Sequence, residues 1–172
     1  MKILITGFPG TGKSSIAKEL KRRGRRAYDP QSMHDYMQVE NRDTGRHIKQ
    51  PEKVPAGWFD TVGAYNWDPI KLEKLLQDNE DIFICSKAHN QSEFYSRFDK
   101  IFVLTLDFTE LIHRLELRNG KTLGKNSDEL SDILSLHNHF EQSLLNHGAI
   151  IINASKPLSN IVNEIFSNVS NA

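Results

Sequence analysis

Gly7-Phe8-Pro9-Gly10-Thr11-Gly12-Lys13-Ser14 follows an apolar run, Ile3-Leu4-Ile5, and leads directly into a helical pattern over residues 15–23. The spacing is G-x-x-x-x-G-K-[ST], a phosphate-binding loop, and both contexts the motif requires are present: a strand before it and a helix after it. Glycines let the backbone turn until successive N–H groups converge on phosphate oxygens, and the helix N-terminus adds partial positive charge. Gly7, Pro9, Gly10, Thr11, Gly12, Lys13, Ser14 and Ser15 are therefore the expected nucleotide-binding residues. Lys13 would reach the β- and γ-phosphates. Ser14 would supply a hydroxyl to Mg2+, an ion that keeps most of its waters and leans on the nucleotide for other ligands.

Working outward, short apolar runs alternate with longer helical patterns, the sequence form of strand-helix units around a parallel sheet. Five strands are expected, over residues 2–6, 26–29, 81–86, 100–106 and 149–153. The clearest helix spans 127–147, where Leu130, Ile133, Leu134, Phe140, Leu144 and Leu145 mark one face and Gly148 is the stop. Asp107 with Glu110 opens the helix carrying Leu111 and Leu115. Residues 30–66 are polar, broken by Pro51, Pro55, Gly45, Gly57 and Gly63, and lack a clean period. A segment this long inside one domain reads as a substrate-side insertion.

Composition narrows the class. The 172 residues fit one domain, and 22 basic against 22 acidic side chains argue against a nucleic-acid-coating protein. The single cysteine, Cys85, forms no internal disulfide and fits a reducing cytoplasm, where a small buried thiol is its simplest role. No apolar stretch approaches a membrane span, and no signal-peptide core forms after Ile5. The basic run Lys21-Arg22-Arg23-Gly24-Arg25-Arg26 complements a helix C-terminus around a glycine cap, or touches nucleic acid. Asp60-Thr61-Val62-Gly63 imitates a GTPase switch, but the preceding Val54-Pro55-Ala56-Gly57 is unsuited to a central strand.

The loop, the chain length and the five-strand rhythm resemble the small P-loop kinases related to adenylate, shikimate and gluconate kinases. Trp58, Trp67-Asp68, Asn90-Gln91 and Gly124-Lys125 are similar to features of bacterial nucleotide-kinase-like proteins of that group. The resemblance implies an α/β, three-layer P-loop NTPase fold. It further implies a parallel sheet of order 2-3-1-4-5, one domain over 1–172, a substrate insertion at 30–66 and an arginine-bearing lid at 118–127.

Within that frame, Arg114 and Arg118 lie i,i+4 on one helix face before the basic loop 119–125. Arg118 is the expected contact to the transferring phosphoryl group, which needs positive charge around it. Asp29 either orients the acceptor hydroxyl and takes its proton, or merely opens the turn before Pro30. Shikimate kinases carry Asp-x-Asp here; this chain reads Asp29-Pro30-Gln31. Arg42, Arg46, Trp58 and Trp67 suit an anionic, planar substrate, or pack the insertion. Ser86, Asn90 and Gln91 follow the third strand, at the carboxyl edge where ligands bind. Ser155, Lys156 and Pro157, after the fifth strand, are implied to lie against adenine. No acid ends the third strand, Ile84-Cys85-Ser86, so Ser14, phosphates and water are the expected magnesium shell.

These residues describe an ATP- and Mg2+-dependent phosphotransferase acting on a small-molecule acceptor of nucleoside, nucleotide or similar type, as a cytoplasmic monomer or homodimer. The different-class alternative is an ATP-binding regulator or assembly factor with slow ATPase activity. A 5′-hydroxyl polynucleotide kinase is a variant of the first.

Overall fold

Ile3, Leu4 and Ile5 are all fully buried, a pattern that requires packing on both faces of their strand. The computed structural model describes residues 1–30, 32–53, 55, 58–78, 80–119 and 127–170, with the backbone alone at 59, 60, 118, 119 and 127–133. The strand is β1 (Lys2–Gly7), followed by α1 (Lys13–Arg22) and β2 (Ala27–Tyr28). A hairpin of β3 (Met37–Asn41) and β4 (Gly63–Trp67) carries the single-turn α2 (Trp58–Thr61) between its strands. Then come α3 (Pro69–Leu76), β5 (Ile82–Ile84), β6 (Lys100–Thr105), α4 (Phe108–Asn119), α5 (Ser127–Asn146), β7 (Ile150–Asn153) and α6 (Leu158–Ser170).

Five strands form one sheet in the order β2-β5-β1-β6-β7, with every pairing parallel. Counting only these strands, the order is the expected 2-3-1-4-5. Successive side chains point to opposite faces, so the sheet feeds two cores. Ile3, Ile5, Phe83, Phe102 and Leu104 pack against Ile16 and Leu20 of α1 and Ile161 and Ile165 of α6. Leu4, Ile82, Ile84 and Val103 pack against Trp67, Leu72 of α3, Phe94 and Leu144 of α5. Three layers result, as a P-loop NTPase fold requires.

Helix ends follow their local chemistry. Gly24, at φ 75°, ends α1, and the amides of Gly24 and Arg25 donate to the carbonyls of Lys21 and Leu20 at 3.0 and 2.9 Å. The flanking basic run is spent largely on ion pairs: Arg22 and Arg23 with Glu19, and Arg26 with Asp78 and Glu80. Asp107 Oδ1 accepts the Glu110 amide at 3.0 Å, as a capping residue should. On α5, Leu144 is buried, but Leu134 remains 37% exposed.

The insertion is more regular than its composition suggests. Met37 pairs with Trp67, Val39 with Tyr65 and Asn41 with Gly63 in antiparallel register. The alternation Met37-Gln38-Val39-Glu40 is short and sits among polar turns, which conceals it in a windowed reading. Trp67, read from sequence as a stacking face for substrate or as a packing residue, is fully buried, with its ring 5.7 Å from Phe94 and 6.1 Å from Phe98. Trp67→Ala should therefore cost about 3–5 kcal/mol of folding stability in urea denaturation; a loss below about 1 kcal/mol would contradict its place in the core.

Candidate functional site

The loop leaves β1 at the carboxyl edge of the sheet, and two of its glycines adopt conformations that other residues resist. Gly10 and Gly12 lie at φ 92° and 96°. Gly7 is held for a different reason: a Cβ there would lie 2.6 Å from Thr11 Oγ1 and 2.9 Å from the Leu104 carbonyl oxygen. Thr11 Oγ1 donates to the Phe8 carbonyl at 2.9 Å, closing the turn. The Lys13 ammonium folds back over the loop and donates to the carbonyls of Gly7 and Phe8 at 2.7 and 3.1 Å.

Two concavities flank this loop. The larger, about 840 Å³, runs from Gly12, Lys13 and Ser14 to Pro30, His34 and Tyr65. Met37, Ser86 and Lys87 complete its acceptor-side wall, and Arg114 closes the opposite edge. The smaller, about 160 Å³, lies between Thr11 and Ser15 on one side and Arg114, Ala154 and Lys156 on the other. It opens beside α6, where the loop after β7 was expected to meet the base. Lys156 reaches it while bound to Glu164 at 2.7 Å; Ser155 and Pro157 do not line it. Arg114 borders both spaces, held by Glu110 at 2.6 Å and by the Ala154 carbonyl at 3.3 Å. Arg118 lies in α4 near its end; its side chain and the lid residues 120–126 fall outside the described residues.

Asp29 follows β2, but its carboxylate is engaged elsewhere. Oδ1 accepts from the Ser32 amide at 2.7 Å and the Ser32 hydroxyl at 2.8 Å, and Oδ2 meets Lys21 at 2.9 Å. Burial pushes its pKa up, yet the Ser32 and Lys21 hydrogen bonds win and hold it at about 2. In this arrangement the side chain clasps the turn that carries Pro30 and His34 into the cavity wall.

Four further residues singled out from sequence also have scaffold partners. Asn90 accepts the Trp67 amide at 2.9 Å and donates to the Trp67 carbonyl at 3.0 Å, so it ties β4 to the sheet. Gln91 is buried, accepting from Thr6 Oγ1 at 3.1 Å and donating to Tyr95 at 2.9 Å. Neither amide lines the cavity. Trp58 covers Gly63, where an added Cβ would lie 2.2 Å from the indole ring. Arg42 donates from Nε to the Gly63 carbonyl at 3.2 Å at the end of the hairpin.

The cavity instead recruits His34, Met37, Tyr65 and Lys87, none of them singled out from sequence. Lys87 was within reach of the rule that ligands bind beyond strand carboxyl ends, since it directly follows Ser86. The hairpin residues gave no such signal. Tyr65 approaches His34 edge to face at 6.3 Å and donates its hydroxyl to Gln50.

The fit to magnesium is simple. The Ser14 hydroxyl is exposed in the cavity wall, and among the described residues no group of three His, Cys, Asp or Glu could hold a metal. Ser14 would thus hold the ion together with phosphate oxygens and water.

A family profile described as an AAA domain matches residues 3–135. The chain belongs to this AAA-domain family. The match takes in the phosphate loop, the hairpin, β5, β6 and α4 of the AAA domain. No curated protein matches in sequence. Among solved structures, shikimate kinase from Bacteroides thetaiotaomicron is similar over 99% of this chain and 98% of its own, at 15% identity and a TM-score of 0.61. Deoxyadenosine kinase from M. mycoides, solved with the products dCMP and a flexible dCDP, aligns over 100% of both chains at 16% identity and a TM-score of 0.55. These likenesses support the fold of the AAA domain. No helix among its described residues is long and apolar enough to cross a membrane.

The Asp29 clasp carries a pH signature. Its depressed pKa contributes stability that is present above the ordinary value of 3.8 and lost as pH falls through about 2. Asp29→Asn should lower stability at pH 7 by about 1–2 kcal/mol, with the gap to wild type closing as pH falls from about 4 towards 2. A gap independent of pH in denaturation series would contradict the ionised clasp.

Proposed function

We propose that this AAA-domain protein is an ATP-dependent phosphotransferase that moves the γ-phosphoryl group to a small-molecule acceptor of nucleoside, nucleotide or similar metabolite type. The observation that carries the reading is the continuity of the larger cavity: Lys13 and Ser14 share one space with His34, Met37 and Tyr65. A volume of about 840 Å³ accommodates a small molecule beside the terminal phosphate. The smaller niche near Arg114 and Lys156 supports a base site on the opposite side of the loop. Full-length similarity in fold to a deoxyadenosine kinase and a shikimate kinase points the same way.

In the proposed reaction the acceptor hydroxyl oxygen bonds to the γ-phosphorus, the bond to the β,γ-bridging oxygen breaks, and ADP departs. Catalysis is mostly positioning and charge, because the transition state spreads negative charge over the phosphoryl oxygens. Lys13 would leave its carbonyl contacts for the phosphates, while the loop amides hold the chain of oxygens. Arg114, and Arg118 one turn later on α4, would add charge from the lid side. His34, whose imidazole lines the same cavity, would take the hydroxyl proton. Asp29 acts as a positioning residue for its turn. Ser14 would hold Mg2+ together with phosphate oxygens, and the bound ion would supply further charge neutralisation.

One observation favours the second reading, an ATP-binding regulator with slow ATPase activity: β5 runs into Cys85 and Ser86, so no acid ends that strand. Acceptor-stimulated ADP release separates the two. Mg-ATP turnover against a panel of nucleosides, nucleoside monophosphates, hydroxy acids, sugars and 5′-hydroxyl oligonucleotides should give one phosphorylated product, detected by mass and lost in Lys13→Ala. Tight ATP binding with no acceptor-dependent turnover would favour the regulator.

A further inference from the structure

We propose that Lys87 is the anion-binding residue of the acceptor side, and that the phosphoryl acceptor accordingly carries a phosphate or carboxylate group besides its reacting hydroxyl. This deepens the phosphotransferase reading and rests on it.

Position is the first argument. Lys87 follows β5, the strand between β2 and β1, so it lies on the side of the phosphate loop away from the niche lined by Arg114 and Lys156. It lines the larger cavity with Pro30, His34 and Met37. A cation at that place borders the cavity on the hairpin side of the loop, away from that niche.

The second argument is how Lys87 is held. Its ammonium sits 4.2 Å from the centre of the Phe140 ring of α5 and 5.0 Å from that of Phe8, in the phosphate loop. Ring faces attract a cation without neutralising it. No carboxylate pairs with Lys87 among the described residues, although Lys21, Lys71, Arg97 and Lys156 each meet one. Among the described residues, the cavity wall contributes Lys13, Lys87 and Arg114 but no Asp or Glu. A half-buried cation lacking a counter-charge is costly on its own, and an anion entering the cavity supplies the missing partner.

Electrostatics agree with the geometry. Burial lowers the Lys87 pKa, and the like charge of Arg42 adds to the fall. The same two influences lower His89, followed by the charge of Lys87 itself. Arg42 thus lies close enough for its charge to be felt at Lys87 and His89.

The test separates acceptor anion from nucleotide phosphate by filling the nucleotide site first. Wild type, Lys87→Met and Lys87→Arg are saturated with Mg-AMP-PNP and titrated calorimetrically with inorganic phosphate, folding being checked by circular dichroism. Wild type should bind phosphate, Lys87→Met should bind it at least about tenfold more weakly, and Lys87→Arg should stay within about threefold of wild type. The AMP-PNP affinity of Lys87→Met should match wild type within about twofold. Equal phosphate binding by wild type and Lys87→Met, or none by wild type, overturns the assignment alone. A tenfold loss of AMP-PNP affinity in Lys87→Met overturns it in favour of a nucleotide-site lysine. If AMP-PNP fails to bind wild type, the phosphotransferase reading falls and the assignment falls with it.

Discussion

β1 is hydrogen-bonded to β5 on one side and to β6 on the other, so the loop at its carboxyl end opens with a crevice on each flank. That placement governs the rest. α4 and the turn before α6 form one flank; the turn after β2, the hairpin and the segment after β5 form the other. Close packing of Gly7 against Thr11 and Leu104 keeps the loop seated on the sheet, and the positive φ of Gly10 and Gly12 shapes its amides. A side chain at Gly7 would lift the loop off β6 and disturb both crevices at once.

Charge is distributed in keeping with that geometry. Acids near the site are committed to neighbours: Asp29 to Ser32 and Lys21, Glu110 to Arg114, Glu164 to Lys156. Cations line the cavity that an anionic substrate would enter. Phosphoryl transfer depends more on positioning and charge than on proton transfer, which such a distribution suits. α5 reaches the same place from behind, since His137 meets Phe8 edge to face at 5.5 Å and pairs with Glu141 at 3.0 Å. Helix α5 is therefore in contact with the phosphate loop.

Much of the fold was legible because parallel strands buried on both faces read as unbroken apolar runs, and the loop motif needs only local spacing. The hairpin was not, because five-residue strands among glycines and prolines leave too short a period. The amide and indole side chains misled for a related reason. Trp67, Asn90 and Gln91 stand near the carboxyl edge in sequence, but burial decides whether such groups face a ligand or hold the scaffold, and burial is a tertiary property. Asp29 illustrates the converse: its turn-opening role was visible in Asp29-Pro30, and Lys21, eight residues upstream on α1, fixes it there. Lys87 is conspicuous only once the rings of Phe8 and Phe140 are seen around it.

The most direct test of the account is a crystal structure of the protein with Mg-AMP-PNP. The triphosphate should lie in the loop, with the Lys13 ammonium moved from the Gly7 and Phe8 carbonyls onto phosphate oxygens, and the base in the niche between Arg114 and Lys156. The space before His34 and Tyr65 should remain open for the acceptor. A nucleotide lying across that space instead, with Lys13 still on its carbonyl oxygens, would contradict the division of the site into two sides of one loop.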